Sequence, residues 1–136
     1  MPEPHPYIML VDDDTDDLEM LSSSFNDIGI RTRSFDSGEK AIYYLQLIAD
    51  TNDLPALIIS DYNMPRINGE EMLENIKSNK NTKDIPVVVY STGMSRFSKK
   101  KLIDLGAIDC FTKADSYQEF TTQVGVFKNI MVRSEG

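Results

Sequence analysis

The chain has 136 residues, of which 40% are hydrophobic and 26% are charged, and its 14 basic and 22 acidic residues give a formal net charge of −8. This length suits one domain, and the composition is that of a globular protein rather than a disordered or repetitive one. The acidic balance disfavours non-specific binding to nucleic acid or to an anionic membrane. The single cysteine, Cys110, excludes an internal disulfide and a multi-cysteine metal site.

The domain organisation and the cellular location are predicted from features that the sequence lacks. No shift in composition and no repeat divides it, so we predict a single domain over residues 1–136, with a core of about 6–131 and no effector domain. No apolar run approaches the ~20 residues that span a bilayer. The first residues lack the charged-then-apolar pattern of a signal peptide, so we predict a cytoplasmic protein.

Five short segments predict β-strands, in chain order residues 7–11, 30–35, 57–59, 87–90 and 109–112. The first, third and fourth are continuously apolar and too short for helices, which is typical of strands covered on both faces of a parallel sheet. The second and fifth mix in polar residues, which indicates edge strands.

A helical pattern follows each of these segments. Ser37 is expected to cap the second helix, and Asp115 or Ser116 the fifth. Gly29 and Gly106 are expected to end the first and fourth helices. In chain order, the predicted inner faces consist of Leu18, Leu21, Phe25 and Ile28; Ala41, Leu45 and Ile48; Met72, Leu73 and Ile76; Phe97, Leu102 and Leu105; and Tyr117, Phe120, Val124, Phe127 and Met131.

The alternation predicts an α/β fold of the (βα)₅ type, a doubly wound parallel sheet with right-handed crossovers. With interior strands 1, 3 and 4 and edge strands 2 and 5, the order 2-1-3-4-5 satisfies the pattern, and it is the order of flavodoxin-like proteins. The switch point then lies between strands 1 and 3, and ligands bind beyond the carboxyl ends of strands at such a point.

Charged and polar residues follow four of the predicted strands at this edge. Five aspartates fall within residues 12–17, and the other residues are Asp61, Ser91, Thr92 and Lys113. Two carboxylates ~5 Å apart repel by roughly 3 kcal/mol at an effective dielectric near 20, so converging carboxylates need a cation. An oxygen-rich site suits Mg²⁺, and an ammonium and a hydroxyl beside it suit phosphoryl transfer to an aspartate.

Four segments resemble the receiver domain of two-component response regulators, over essentially the whole chain. They are LVDDD at 10–14, LIISDYNMPRINGEEML at 57–73, IPVVVYST at 85–92 and LGAIDCFTK at 105–113. The resemblance implies a signalling phospho-acceptor that catalyses only its own phosphoryl transfer and dephosphorylation. It also implies a histidine kinase or phosphotransfer protein as donor, and output through an unknown downstream protein or a phosphorelay. We expect a stand-alone receiver, chemotaxis-regulator-like, that is a monomer or weak homodimer.

The resemblance also implies roles for individual residues. Asp61 would be phosphorylated, and Asp13 and Asp61 would bind Mg²⁺ through their carboxylates. Asp12 would act largely through water, and Asn63 would contribute its backbone carbonyl. The hydroxyl of Ser91 would bond a phosphoryl oxygen, and Lys113 would pair with Asp61. Met64, Pro65 and Gly69 match the loop after the phosphorylated strand, where glycine allows the turn.

Three positions depart from the family pattern. Ala114 follows the lysine where the family usually has proline, commonly in cis, and a non-proline cis bond costs ~2.5–4 kcal/mol, so we expect trans. Cys110 stands where the family has a rotating aromatic residue, and the neighbouring Phe111 is expected to point to the opposite face. Thr92 is bulkier than the usual residue beside the phosphoryl pocket. We expect the phosphoryl chemistry to survive these changes and the aromatic switch to be lost.

Two other functions fit parts of the pattern. One is an unphosphorylated pseudo-receiver that acts only as an interaction module, which Cys110 and Ala114 keep open. The other is a haloacid-dehalogenase-type phosphatase, which Asp16 disfavours because that enzyme class needs Thr or Val at this place.

The aspartates at 14, 16 and 17 are expected only to favour the start of a helix. Arg96 and the lysines at 99–101 are either a solvated face or a docking surface.

Overall fold

The computed structural model describes residues 6–135, so residues 1–5 and 136 of the predicted domain lie outside the described part. Each predicted strand is present, with bounds that differ from the prediction by no more than one residue. The strands are β1 (Tyr7–Val11), β2 (Arg31–Phe35), β3 (Leu57–Ser60), β4 (Val87–Ser91) and β5 (Asp109–Thr112). The helices are α1 (Thr15–Asp27), α2 (Gly38–Ile48), α3 (Gly69–Ser78), α4 (Arg96–Asp104) and α5 (Tyr117–Glu135).

The five strands form one sheet in the order β2-β1-β3-β4-β5, and all neighbouring pairs are parallel, which confirms the predicted topology. Strands β1, β3 and β4 are buried at every residue, whereas β2 and β5 are partly exposed. The register places Val11 beside Ser60 and Ser91 beside Thr112. Because the strands are parallel, their carboxyl ends share one edge of the sheet.

Two separate cores cover the two faces of the sheet, because successive side chains on a strand point to opposite faces. Helices α2, α3 and α4 pack on one face, where Val89 and Cys110 lie. Helices α1 and α5 pack on the other face, where Tyr90 and Phe111 lie. Among residues 6–135, no helix has both the length and the apolar character required to cross a membrane.

Polar residues cap the N-termini of the helices, and glycines follow two of their C-termini. The Asp14 carboxylate accepts the backbone N–H groups of the next helix's first turn, and Ser37 caps α2 as predicted. Of the two candidates for α5, Ser116 is the cap, since its hydroxyl accepts a hydrogen bond from the Glu119 amide at 3.1 Å. Gly29 and Gly106 follow α1 and α4 with φ of 82° and 119°, so both act as predicted.

Three apolar residues assigned to inner faces are exposed in the structure. Phe97 is 79% exposed because it lies five residues before Leu102, and that spacing puts the two on different sides of a helix. Tyr117 is also 79% exposed, at the first residue of α5. Ile28 is 45% exposed because α1 ends at Asp27, so Ile28 leaves the helical face.

Candidate metal and phosphoryl site

The predicted site residues meet at the carboxyl edge of the sheet. Asp12 and Asp61 directly follow β1 and β3, Ser91 ends β4, and Lys113 directly follows β5. Asp12, Asp61 and Ser91 are 3%, 7% and 0% exposed. The adjacent, parallel strands β1 and β3 therefore bring together polar groups from distant parts of the chain, at the predicted switch point.

Asp61 has one carboxylate oxygen that is not engaged. Its amide donates to the Val11 carbonyl at 2.8 Å, which extends the β1–β3 pairing and places Asp61 beside Asp12. Its Oδ1 accepts a hydrogen bond from the Tyr62 amide at 2.7 Å. Its Oδ2 accepts no hydrogen bond from any residue within 6–135 and lies 3.7 Å from Lys113 Nζ. This oxygen is available to a ligand or a reacting group.

Glycine is needed at position 69 because the backbone of the loop after β3 passes close to it, and not because its φ is positive. The Gly69 amide donates to the Tyr62 carbonyl at 2.9 Å. A Cβ at position 69 would lie 2.5 Å from the Asp61 carbonyl oxygen and 2.8 Å from the Tyr62 Cα. The positive φ of this loop belongs instead to Arg66, at 67°.

The carboxylates of Asp12, Asp13 and Asp61 form an acidic cluster in which one oxygen of each lies within 4.8 Å of the others. Asp12 and Asp61 are buried and Asp13 is exposed. At that separation two charges repel by about 3 kcal/mol at an effective dielectric near 20. Burial raises the pKa of Asp12 to about 6, and the nearby charge of Asp61 adds to the shift, whereas Lys113 opposes it.

Lys113 offsets part of this negative charge. Its Nζ donates to Asp12 Oδ2 and to Asp17 Oδ2, both at 2.7 Å. Burial alone would lower the pKa of Lys113, but these two hydrogen bonds and the nearby charges of Asp12 and Asp61 together outweigh it, so the pKa is raised and the ammonium stays charged. The expected pairing with Asp61 is therefore only a longer contact, and Asp12 and Asp17 are the nearer partners.

Asp17 is the site residue that the sequence interpretation missed. It was assigned only to the favourable start of α1, yet its carboxylate reaches Lys113 across 96 positions of sequence. A signal was present: Asp17 lies four residues before the buried Leu21 and so on the inward face of α1. A carboxylate on a buried helical face needs a cationic partner.

Ser91 carries a buried hydroxyl without a partner. The residue is 0% exposed, and its Oγ has no hydrogen-bond partner within the described residues. A buried hydroxyl left unpaired costs about 1–3 kcal/mol, so such groups are rare unless a ligand satisfies them. The hydroxyl therefore fits a site that takes up an oxygen-rich group.

The residues present fit a magnesium ion. The donors of the acidic cluster are oxygens only, and a hard divalent cation would relieve their mutual repulsion. Asp12, Asp13 and Asp61 would hold the ion, and when bound it would neutralise the cluster and the charge on phosphoryl oxygens. Asn63 lies exposed two residues after Asp61, and the use of its backbone carbonyl as a ligand stays a prediction.

The departures around β5 have the predicted geometry. All peptide bonds within residues 6–135 are trans, that between Lys113 and Ala114 included. The Cys110 side chain is buried against the α2–α4 face, and burial raises its thiol pKa. Phe111 points to the opposite face, where its ring meets that of Phe127 edge-on at 5.2 Å. An aromatic ring therefore does not occupy the α4-side position on β5.

The fold and site together define a doubly wound α/β protein with an acidic, magnesium-type ligand set at its switch point, and comparison with known proteins gives its family. The family sequence model of the response regulator receiver domain matches residues 8–124 of this chain. The rice (Oryza sativa subsp. indica) two-component response regulator ORR3 is 32% identical over 113 residues, which cover 83% of each protein. The rice (subsp. japonica) regulator ORR5 is 31% identical over 108 residues, or 79% of this chain and 78% of ORR5. The phosphorylated cyanobacterial phytochrome response regulator RcpA superposes with a TM-score of 0.82 at 27% identity, over 95% of each chain.

The chain therefore belongs to the receiver domain family of two-component response regulators. Members of this family are signalling phospho-acceptors, generally not classical enzymes, and both phosphorylation and Mg²⁺ dependence are general among them. They interact with histidine kinases or phosphotransfer proteins. Receiver domains bind Mg²⁺ at an acidic pocket, and this chain has an acidic cluster of Asp12, Asp13 and Asp61.

Proposed function

We propose that Asp61 is the phosphorylated residue and that the donor is a phosphohistidine of a histidine kinase or phosphotransfer protein. A carboxylate oxygen of Asp61 attacks phosphorus, a new P–O bond forms, and the P–N bond to the histidine breaks. The electron pair of that bond returns to the imidazole, which takes up a proton. The product is an aspartyl phosphate, and water later hydrolyses it.

The observation that carries this proposal is the uncommitted Oδ2 of Asp61 inside the acidic cluster. Both oxygens of Asp12 are engaged, one by the Asp14 amide at 2.9 Å and the other by Lys113. Asp13 is exposed on the loop after β1. Asp61 therefore combines burial with a free oxygen, which is what a nucleophile facing a phosphoryl donor needs.

Two further side chains are proposed to hold the transferred group. Lys113 keeps its positive charge and lies 3.7 Å from Asp61 Oδ2, so it can pair with a phosphoryl oxygen. Ser91 has a buried hydroxyl that would gain its missing hydrogen bond from another such oxygen. Mg²⁺ held by Asp12, Asp13, Asp61 and the Asn63 carbonyl would neutralise the remaining charge.

We further propose that the phosphorylated domain signals by contact with a downstream protein or by passing the phosphoryl group onward. The similarity to RcpA, a phosphorylated response regulator, supports a phosphoryl-dependent role. The kinase and the target are unidentified, and a cytoplasmic location and a monomer or weak homodimer stay predictions. If phosphorylation acts as a switch, the phosphoryl group must favour one conformation through different contacts at Ser91 and Lys113.

Incubation with Mg²⁺ and acetyl phosphate, followed by intact-mass measurement, tests this function. The wild-type protein should gain the mass of one phosphoryl group, Asp61→Asn should gain none, and the control Asp16→Asn should behave as wild type. Asp16 is a suitable control because it is an exposed aspartate of the same acidic run. Equal labelling of wild type and Asp61→Asn would show that another residue is modified.

The competing function is an unphosphorylated interaction module, for which the Cys110 and Ala114 positions are the supporting observations. It predicts no mass gain with acetyl phosphate. It also predicts no Asp61-dependent change in the NMR spectrum when beryllofluoride and Mg²⁺ are added. Both results together would replace the proposed function with this one.

A further inference from the structure

The backbone on both sides of Lys113 is tied to the same pair of side chains. The Thr112 carbonyl accepts a hydrogen bond from Gln123 Nε2 at 2.7 Å. The Ala114 amide donates a longer hydrogen bond to the Tyr90 hydroxyl at 3.4 Å. The Tyr90 hydroxyl in turn donates to Gln123 Oε1, which closes the network. We call this pair the Tyr90–Gln123 clamp.

The clamp is anchored in rigid parts of the fold. Tyr90 is 4% exposed, lies in β4 directly before Ser91, and packs edge-on against Phe127 at a centroid distance of 5.2 Å. Gln123 lies in the first half of α5, a 19-residue helix. Burial raises the pKa of Tyr90, so its hydroxyl stays protonated and can donate. The two side chains therefore join the interior strand β4 to α5 beside the Lys113 segment.

Few backbone hydrogen bonds from the sheet hold the segment around Lys113. Its ammonium group donates hydrogen bonds to Asp12 and Asp17. How close that group lies to Asp61 therefore depends on where the backbone of residue 113 is held. The strand pairing supplies one contact, a 2.9 Å hydrogen bond from the Lys113 amide to the Ser91 carbonyl. Because β5 ends at Thr112, the N–H of Ala114 lies outside the strand, and a proline at this position would have no N–H. The Ala114 N–H donates its hydrogen bond to the Tyr90 hydroxyl instead.

We propose that Tyr90 and Gln123 are positioning residues that hold the backbone of Lys113 so that its ammonium faces Asp61. This rests on the proposed function, because it assigns to Lys113 the task of pairing with the phosphoryl group. Neither Tyr90 nor Gln123 touches the reacting atoms. Their effect is on the placement of Lys113, and a misplaced charged group weakens the stabilisation of a transferring phosphoryl group.

The test compares four full-length variants with wild type for the rate at which acetyl phosphate and Mg²⁺ phosphorylate Asp61. Tyr90→Phe keeps the ring against Phe127 and removes only the hydroxyl, and Gln123→Met keeps the length and removes both polar groups. The third variant combines the two changes. The matched control is Tyr117→Phe, which removes the hydroxyl of an exposed tyrosine on α5. Circular dichroism melting shows that each variant is folded at the assay temperature.

We expect each single clamp variant to lower the phosphorylation rate by about tenfold. The double variant should be no slower than the singles, because both act on one network. The backbone amide signals of Lys113 and Ala114 should shift in Tyr90→Phe, whereas signals from α3 should not. Tyr117→Phe should match wild type.

Wild-type rates in Tyr90→Phe and Gln123→Met, with wild type itself phosphorylated, would overturn the clamp and leave the proposed function standing. Multiplied losses in the double variant would also overturn it, since they indicate two independent effects. If wild type takes up no phosphoryl group, the proposed function fails and the clamp proposal fails with it.

Discussion

Lys113 and Asp17 form a hydrogen-bonded ion pair, with 2.7 Å between Nζ and Oδ2, that joins the segment after β5 to the first turn of α1. Their side chains are 13% and 28% exposed, so the pair is largely shielded from water. The same ammonium also binds Asp12 and lies 3.7 Å from Asp61. One cation is therefore shared by three carboxylates, and Asp17 competes with Asp61 for it.

Removing the charge of Asp17 should weaken this link. Asp17→Asn is expected to lower the free energy of unfolding by about 1 kcal/mol more than Asp16→Asn, because only Asp17 holds a shielded charged partner. Asp16→Asn corrects for the loss of an acid in the first turn of the same helix. Urea unfolding of the metal-free proteins measures both values. Equal losses in the two variants would show that the ion pair contributes no net stability.

Stability of the metal-free protein should depend on pH through Asp12. The pKa of Asp12 is raised to about 6 in the folded state, above the ordinary value of about 3.9. Between these values the folded state binds more protons than the unfolded state. The associated stabilisation is therefore fully present below about pH 4 and lost as the pH rises through 6.

Comparison with Asp12→Asn isolates that contribution. In EDTA, the free energy of unfolding of wild type, relative to Asp12→Asn, should decrease between pH 4 and pH 6 and level off above. Urea unfolding at intervals of half a pH unit provides the measurement. A flat difference between the two proteins across this range would contradict the raised pKa.

Ser91 should affect stability and phosphorylation in opposite directions. Ser91→Ala removes a buried hydroxyl that has no hydrogen-bond partner among residues 6–135, so the free energy of unfolding should stay equal or rise by about 1 kcal/mol. The rate of phosphorylation by acetyl phosphate should fall by about tenfold, because a donor to the phosphoryl group is lost. Ser91→Thr keeps the hydroxyl and should retain most of the rate. A loss of stability in Ser91→Ala would indicate that the hydroxyl is already satisfied.

Gly69 should be intolerant of a side chain, in contrast to Gly125. The Cβ of Gly69→Ala would lie 2.5 Å from the Asp61 carbonyl oxygen, so we expect a loss of about 1–3 kcal/mol and altered NMR signals from Asp61. A Cβ at Gly125 on α5 meets nothing within 4 Å, and Gly125→Ala should be neutral or stabilise by up to about 1 kcal/mol. If both substitutions are neutral in thermal unfolding, the close approach at Gly69 is unimportant.

Phe111 should matter for stability and not for the phosphoryl chemistry. Its half-buried ring packs edge-on against Phe127, at the border of the core between the sheet and helices α1 and α5. Phe111→Ala should therefore lower the free energy of unfolding by about 2–4 kcal/mol, while the phosphorylation rate at a temperature where the protein is folded stays the same. A large loss of phosphorylation or of partner binding at unchanged stability would show that Phe111 is part of a switch.

Most of the fold and of the acidic cluster could be predicted from the sequence. Burial on both faces leaves a continuous apolar run, and partial exposure leaves polar residues, so the interior and edge strands were distinguishable and the predicted order was one that satisfies them. The parallel order then required Asp12, Asp61, Ser91 and Lys113 to share one edge. The inner face predicted for the fourth helix is wrong at Phe97, because its spacing of five residues from Leu102 puts the two side chains on different sides of a helix.

What the sequence by itself determined is therefore the fold class, the interior and edge strands, and the set of polar groups that follow the strands, because all three are given by the pattern of residues along the chain. Only the tertiary structure decided how those groups pair: that Lys113 binds Asp12 and Asp17 ahead of Asp61, that the Ser91 hydroxyl has no partner within the described residues, and that Tyr90 and Gln123 hold the Lys113 backbone. Hydrogen bonds and ion pairs depend on differences of about an ångström between groups far apart in sequence. Such differences are set by the packing of helices α1 and α5 against the sheet, which no local pattern encodes.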